Sequence, residues 1–549
     1  MPTPTPEVKR LLKRFERLQA RRNSWNSLYS DLTDLIMPER GPFIGETTPG
    51  TDRSIRQFDS TAADALQRMV SALHGMMANP STDWFRPSMS GPPREVRENA
   101  ETQRWLGEVG EIILEAYGNC NHALQLHEHL YDVGGLGTGV LFQEEDREQP
   151  GELNFASFPL STCYIAEDAY GHVDTLGRLF KYTARQAKQK WPEAGALSDK
   201  IEKKLLSDPE EEFQFLHVVE PREKWDEKAA VLNPKARPWA CSYVEYEAKR
   251  LVSESGYHER PFCAPRWLKA TGEIYGRSQA IMNIADIRML NRVQESFISA
   301  LEDATEPAYQ APVGFFLFEP VRSPGWINYY RPGMSERGLE PLPNGAQLPL
   351  TDAYIQRLQD RIEAHFFVDI MMLREGPQMT ATEVLQRLQE RMQLLGPVLF
   401  RLQDELLRPM IMRTYGILRR GDKLPRMPEV LLPYEKTLVI EYTSPIARAQ
   451  RMEEAQSVMQ FIEFISPLLG LDPEVAAILN TEETARGLAQ ILGVPRAMIY
   501  VGDQFKRRKA QLAENRKIEA ALVQSQQAAD VAETLSRAGK QTGTARQAA

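Results

Sequence analysis

Cysteine is scarce in this chain of 549 residues: Cys120, Cys163, Cys241 and Cys263 are all it has, and none forms a C-x-x-C pair. That spacing speaks against a zinc ribbon and lends no support to a disulfide framework, so reduced thiols are expected. Long apolar runs are missing as well. FFLF at 315–318 and IMML at 370–373 fall far short of the ~20 residues that cross a bilayer, so no membrane partner is expected. The opening MPTPTPEVKRLLKRFERL is too charged for the apolar core of a signal peptide. Nor is there a basic excess: the net charge is −9 and the pI about 5.7. A polyanion would meet no broad face of one positive sign, so contact with nucleic acid is expected to be local or weak.

Catalytic signatures are lacking too. No G-x-S-x-G elbow occurs. GGLGTG at 134–139 suggests a phosphate loop, but Gly139 is followed by Val140 and Leu141 where Lys and Ser/Thr are needed. A turn that launches a strand explains these glycines equally well. His122, His127 and His129 cluster around Glu128, but a helical metal site wants an i, i+4 pair, and these spacings are five and two. Polar helix surface or a helix–helix contact accounts for them. The two groups still define one alternative, a metal- or nucleotide-dependent enzyme using the His122–His129 cluster or the 134–139 glycine loop. Apart from that alternative, no catalytic residue, cofactor or metal is expected.

What is present is ordinary globular material, 42% hydrophobic and 26% charged, enough for several domains. Apolar residues at helical spacing predict a helix over 7–36, with Leu11, Phe15, Leu18 and Leu32 on its inner stripe, and another through DSTAADALQRMVSALHGMM. From Gly139 the pattern alternates. CYIAED and HVDTLGRLFKY predict a hairpin turning near Ala169–Gly171, and Thr183-Ala-Arg-Gln186 is a capping box. Residues 213–268 read as further strands, making the first part a mixed α+β domain.

Two long helices are then predicted, one over 277–303 with Ile281, Ile284, Leu290, Val293, Phe297 and Leu301 along one side, and one over 351–373 with Ile355, Leu358, Ile362, Phe366 and Ile370 along one side. They flank a segment dense in proline and glycine, whose short apolar runs GFFLF and WINYY would be marginal as a lone strand pair. After the loop REGPQMT comes a second capping box, Thr380-Ala-Thr-Glu383, opening a helix that carries Gly396-Pro397 in its middle. Proline inside a helix costs about 3 kcal/mol or more, so a bend is expected there. PEVLLPYEKTLVIEYTSP contains strands, ending at Ser444-Pro445, and the remainder reads as helices. The fold class expected is α+β and predominantly helical.

The order of several segments resembles the head-to-tail connector, or portal, proteins of short-tailed, T7-like bacteriophages. The carrying pieces are RRNSWNSLYSDLTDLIMPER, FDSTAADALQRMVSALHGMMANPSTDWF, LREGPQMTATEVLQRLQERMQLLGPVLFRLQDELLRPMI, EYTSPIARAQR and LGVPRAMI. The resemblance implies a portal fold with wing, two-helix stem, clip and helical crown, closed into a ring, usually of twelve copies, at one capsid vertex. Mapped onto this chain, the wing would be 1–275, the stem helices 276–303 and 350–373, and the clip 304–349. A tunnel loop would span 374–380, with Arg374, Glu375, Gly376, Gln378 and Thr380 nearest DNA. A kinked wing helix and connector strands would fill 381–445, with Thr380 and Glu383 as the cap and Gly396 and Pro397 as the kink. A crown ending in a barrel-like helix would fill 446–549. The implied partners are further copies of the chain, double-stranded DNA in the channel, the major capsid and scaffolding proteins, the terminase large subunit, and tail adaptor and internal core proteins. The implied place is the virion, after assembly in the host cytoplasm.

Overall fold

The computed structural model describes residues 5–307 apart from 46–47, 49, 53, 80–82, 98, 146–150 and 194, together with 309–310, 318–319, 329, 340–341, 348–371, 395–442, 457–464, 484–485, 487–489, 507–512 and 514–515. The chain divides into two compact units. One comprises residues 1–82 and 113–423, the other 83–112 and 424–549. Helix predominates and the sheets are small, as the composition of the segments implied.

In the first unit, five antiparallel strands run in simple order: β4 (Cys163–Glu167), β5 (Val173–Thr183), β6 (Glu212–Pro221), β7 (Trp239–Glu245) and β8 (Arg250–Tyr257). The expected hairpin is β4–β5, and Gly171 turns it with a φ of 84°. Side chains alternate between faces, so β6 can serve two cores at once. Leu216 and Val218 pack beneath Val8, Leu11 and Phe15 of the long helix Pro6–Leu35. Phe213 and Phe215 pack with Ala184, Ala187, Trp191 and Ile201 on the opposite face. The Thr183 capping box forms in full: Thr183 Oγ1 accepts from the Gln186 amide at 3.3 Å, and Gln186 Oε1 accepts from the Thr183 amide at 3.1 Å. A second sheet places β2 (Val140–Glu145) between β3 (Leu153–Phe158) and β9 (Phe262–Cys263). All four cysteines are free thiols.

Two elements depart from the expected pattern. The first long helix is interrupted: Gln279–Met282 is one short turn, Asn283 follows it, and Ile284–Thr305 is the main helix. The second runs Leu348–His365 and then stops. Phe367 adopts φ 59°, and a single helical turn, Val368–Met371, follows. Between the two helices, β10 (Tyr309–Gln310) and β11 (Glu340–Pro341) form a two-residue antiparallel pair. GFFLF and WINYY lie largely outside the described residues.

In the second unit, β1 (Phe85–Met89) pairs antiparallel with β12 (Leu438–Tyr442). Gly110 lets its helix approach this sheet, since a Cβ there would stand 2.9 Å from Pro87 Cδ. Trp105 donates its indole N–H to the Pro425 carbonyl at 3.0 Å. Only the end of the expected strand region is strand. Glu429–Thr437 is 3₁₀-helical, with Pro433 inside it, where a ladder donor would have been lost.

Candidate functional site

The histidines and glycines singled out as a possible enzyme centre occupy the helix His122–Leu136 and the turn after it. They do not converge on one point. His122 is buried and stacks on Tyr117 at 4.3 Å, with Phe155 edge-on at 5.1 Å. His127 faces His74, 5.6 Å ring to ring. His129 is fully buried, and neither of its nitrogens has a hydrogen-bond partner. Desolvation holds both His122 and His129 down to about 3, so each is a neutral ring used for packing. Among the described residues no group of three His, Cys, Asp or Glu side chains could hold a metal ion.

The glycine loop is a packing joint. A Cβ on Gly134 would meet Leu66, Met69 and Val70 at 3.1 Å, and one on Gly135 would stand 2.2 Å from Met37 Sδ. These glycines let the helix His122–Leu136 lie close on Thr61–Met77. Gly137 ends the helix in the left-handed conformation, its N–H returning to the Val133 carbonyl at 3.0 Å. Thr138 Oγ1 accepts from the Gly276 amide at 2.8 Å, and Ser278 Oγ donates to the Gly135 carbonyl at 2.7 Å. The space a phosphate would need is filled by protein.

One contact on this helix was not legible beforehand. Arg40, from MPER, reaches Asp132 at 2.9 Å and donates to the Glu128 carbonyl at 2.6 Å. Burial outweighs Arg40 and pushes the Asp132 carboxyl up to about 7.

The two long helices form a different kind of surface. Ile355, Leu358 and Ile362 on Leu348–His365, and Phe366 just past its end, are buried, as the periodicity predicted. They pack against Ile284–Thr305, with Arg361 paired to Asp286, and against Thr61–Met77, where Arg68 lies 3.8 Å from Glu363. Ile287 and Leu290 are buried, but from Asn291 to Thr305 no residue of the first helix is. Met289, Val293 and Phe297 instead line an open groove of about 410 Å³, and Leu301 is 48% exposed. Among the described residues, this helix is therefore buried on its apolar side at Ile287 and Leu290 and only half-buried or exposed beyond them.

The candidate tunnel-loop residues Arg374, Glu375, Gly376, Gln378 and Thr380, with the cap partner Glu383, lie outside the described residues. Gly396 and Pro397 stand at the start of the described helix 395–402. Gly396 is buried, and Pro397 points outward while Leu395, Val398, Leu399 and Leu402 are buried. A π-helical turn, Gln403–Leu407, follows before the helix resumes as Arg408–Arg420. It carries Glu405, whose carboxylate takes both the Nε (3.1 Å) and Nη2 (2.7 Å) of the buried Arg266 and also its backbone amide at 3.0 Å. Glu167 completes the Arg266 environment.

The family model for the bacteriophage head to tail connecting protein matches residues 8–499. This chain belongs to that family. Among its relatives, the probable portal protein of Bordetella phage BPP-1 is 29% identical over 539 residues, covering 96% of this chain and 95% of the relative. The portal protein of Salmonella phage epsilon15 is 28% identical over 544 residues, with the same coverage. The portal protein of Enterobacteria phage T3 is 22% identical over 417 residues, covering 74% of this chain and 72% of its own length.

Proposed function

We propose that the chain is a portal subunit: copies of it close into a ring at one capsid vertex, through which double-stranded DNA is packaged and later ejected. The observation that carries this reading is the connector-family match from residue 8 to 499, with portal relatives aligned along 96% of the chain. The half-uncovered helix Ile284–Thr305 supports it, because a neighbouring copy would bury what one copy leaves exposed. In this reading residues 1–275 are the wing, 276–303 and 350–373 the stem, 304–349 the clip, 374–380 the tunnel loop, 381–445 the kinked helix and connector, and 446–549 the crown. The ring holds twelve copies. The short β10–β11 pair would gain from strands of a neighbour or a docked partner.

The role is structural. An ATP-driven terminase would dock at the clip during packaging and tail proteins would replace it, while capsid and scaffolding proteins hold the rim. An acidic chain suits a conduit, since each phosphate it neutralised would add salt-sensitive grip. Particles assembled without this chain should be DNA-free shells, and the purified chain should hydrolyse neither ATP nor DNA. DNA-filled heads made without it would overturn the proposal.

A further inference from the structure

Four cations form a row on the outer face of the N-terminal helix. Lys9, Lys13, Arg17 and Arg21 recur at i, i+4 along Pro6–Leu35, and all four are exposed. None of them has an ion-pair partner among the described residues. Two more cations, Arg10 and Arg14, stand beside the row but are committed to Glu220, at 2.7 and 2.5 Å. The only acidic residues in 6–23 are Glu7 and Glu16, in a chain whose net charge is −9. At 1.5 Å per residue the row spans about 18 Å in steps of about 6 Å.

We propose that this ridge binds the phosphate backbone of double-stranded DNA, outside any channel. One strand of the duplex advances about 3.4 Å per phosphate, so the row faces about five phosphates. The helix is anchored from beneath by Val8, Leu11, Phe15 and Leu18, each at most 5% exposed, so its apolar face is already occupied by the sheet. That occupation argues against a membrane surface, because interfacial helices bind lipid by burying that face. Charge complementarity then favours a rigid polyanion presenting evenly spaced charges. The choice of DNA rests on the portal reading, but the ridge does not require the chain to form a ring.

The test uses the full-length protein and a labelled 20-base-pair duplex, with binding followed by fluorescence anisotropy across a salt series. Replacing Lys9, Lys13, Arg17 and Arg21 together with Gln should lower the slope of log K against log salt by about three to four, at 0.9 per phosphate released. The same change at Lys203, Lys224, Lys228 and Lys235, four exposed cations elsewhere of which Lys235 pairs with Glu254, should leave most of the slope intact. A thermal midpoint shared by the variants and the parent would establish that folding is unaffected. An equal loss in both variants, no loss in the ridge variant, or a loss only toward an acidic polypeptide would overturn the proposal. Assembly state, measured on the same samples, separates this failure from failure of the portal reading.

Discussion

Gly137 and Gly75 make a matched test of what single glycines do. A Cβ on Gly137 would stand 2.4 Å from the Gly276 carbonyl oxygen, and its φ of 84° already disfavours a side chain. Backbone cannot step aside as a flexible side chain can, so Gly137→Ala should cost about 2–4 kcal/mol. Nothing lies within 4 Å of a Cβ on Gly75, which is inside the helix Thr61–Met77. Gly75→Ala should therefore stabilise by about 0.5–1 kcal/mol. Denaturant midpoints of the two variants should move in opposite directions. Buried imidazoles set a second expectation. His122 and His129 titrate at about 3 in the fold and 6.5 in the unfolded chain. Between those values the unfolded chain binds protons that the fold refuses, so stability falls as pH drops below about 6.5. Asp132, raised to about 7, acts the other way and loses its contribution as pH rises from about 4 toward 7. Lowering pH from 6.5 to 5 costs about 2 kcal/mol per buried histidine. His122→Phe keeps the stacking on Tyr117 and should remove about that share of the acid loss, read from urea midpoints at the two pH values. An acid limb unchanged by the substitution would contradict the burial argument.

Among the elements, local signals carried well and distant ones did not. The Thr183 box was legible because its partners lie three residues apart, and the stripe Ile355–Leu358–Ile362–Phe366 because helical spacing alone defines it. The bidentate Arg266–Glu405 pair joins residues 139 apart, and the sequence carries no sign of it. The stop after His365 was equally hidden, since Phe367 in the left-handed region replaces the Gly, Asn or Pro that would have marked it. That conformation costs an L residue about 1–2 kcal/mol. Phe367→Gly and Phe367→Ala both lose the ring, but only glycine relieves the backbone, so the glycine variant should be the more stable by about 1 kcal/mol in denaturant melts. Equal midpoints would mean the strain is not there. Pro397 belongs at this scale too. It faces outward, so Pro397→Ala removes no core packing and restores a backbone donor. The variant should melt at or above the parent midpoint yet assemble fewer rings or retain less DNA. Unimpaired rings and packaging would remove the bend from the account.

At the scale of the whole molecule, the enzyme alternative and the scaffold part on packing. The candidate ligands His122, His127 and His129 each find a separate neighbour, and the glycines fill helix–helix space. Sequence spacing placed these residues near one another but could not say which way each pointed. Among the described residues, the apolar side of Ile284–Thr305 stays half-buried or exposed beyond Leu290, and the portal reading assigns that surface to a neighbouring copy. Completion of that surface by neighbouring copies is the claim on which the rest depends. Negative-stain imaging of the purified full-length chain, under conditions that support particle assembly, tests it most directly. The account predicts closed rings with a central opening wide enough for a duplex, at many times the 62.5 kDa chain mass. Uniform single-chain particles with no opening would contradict it.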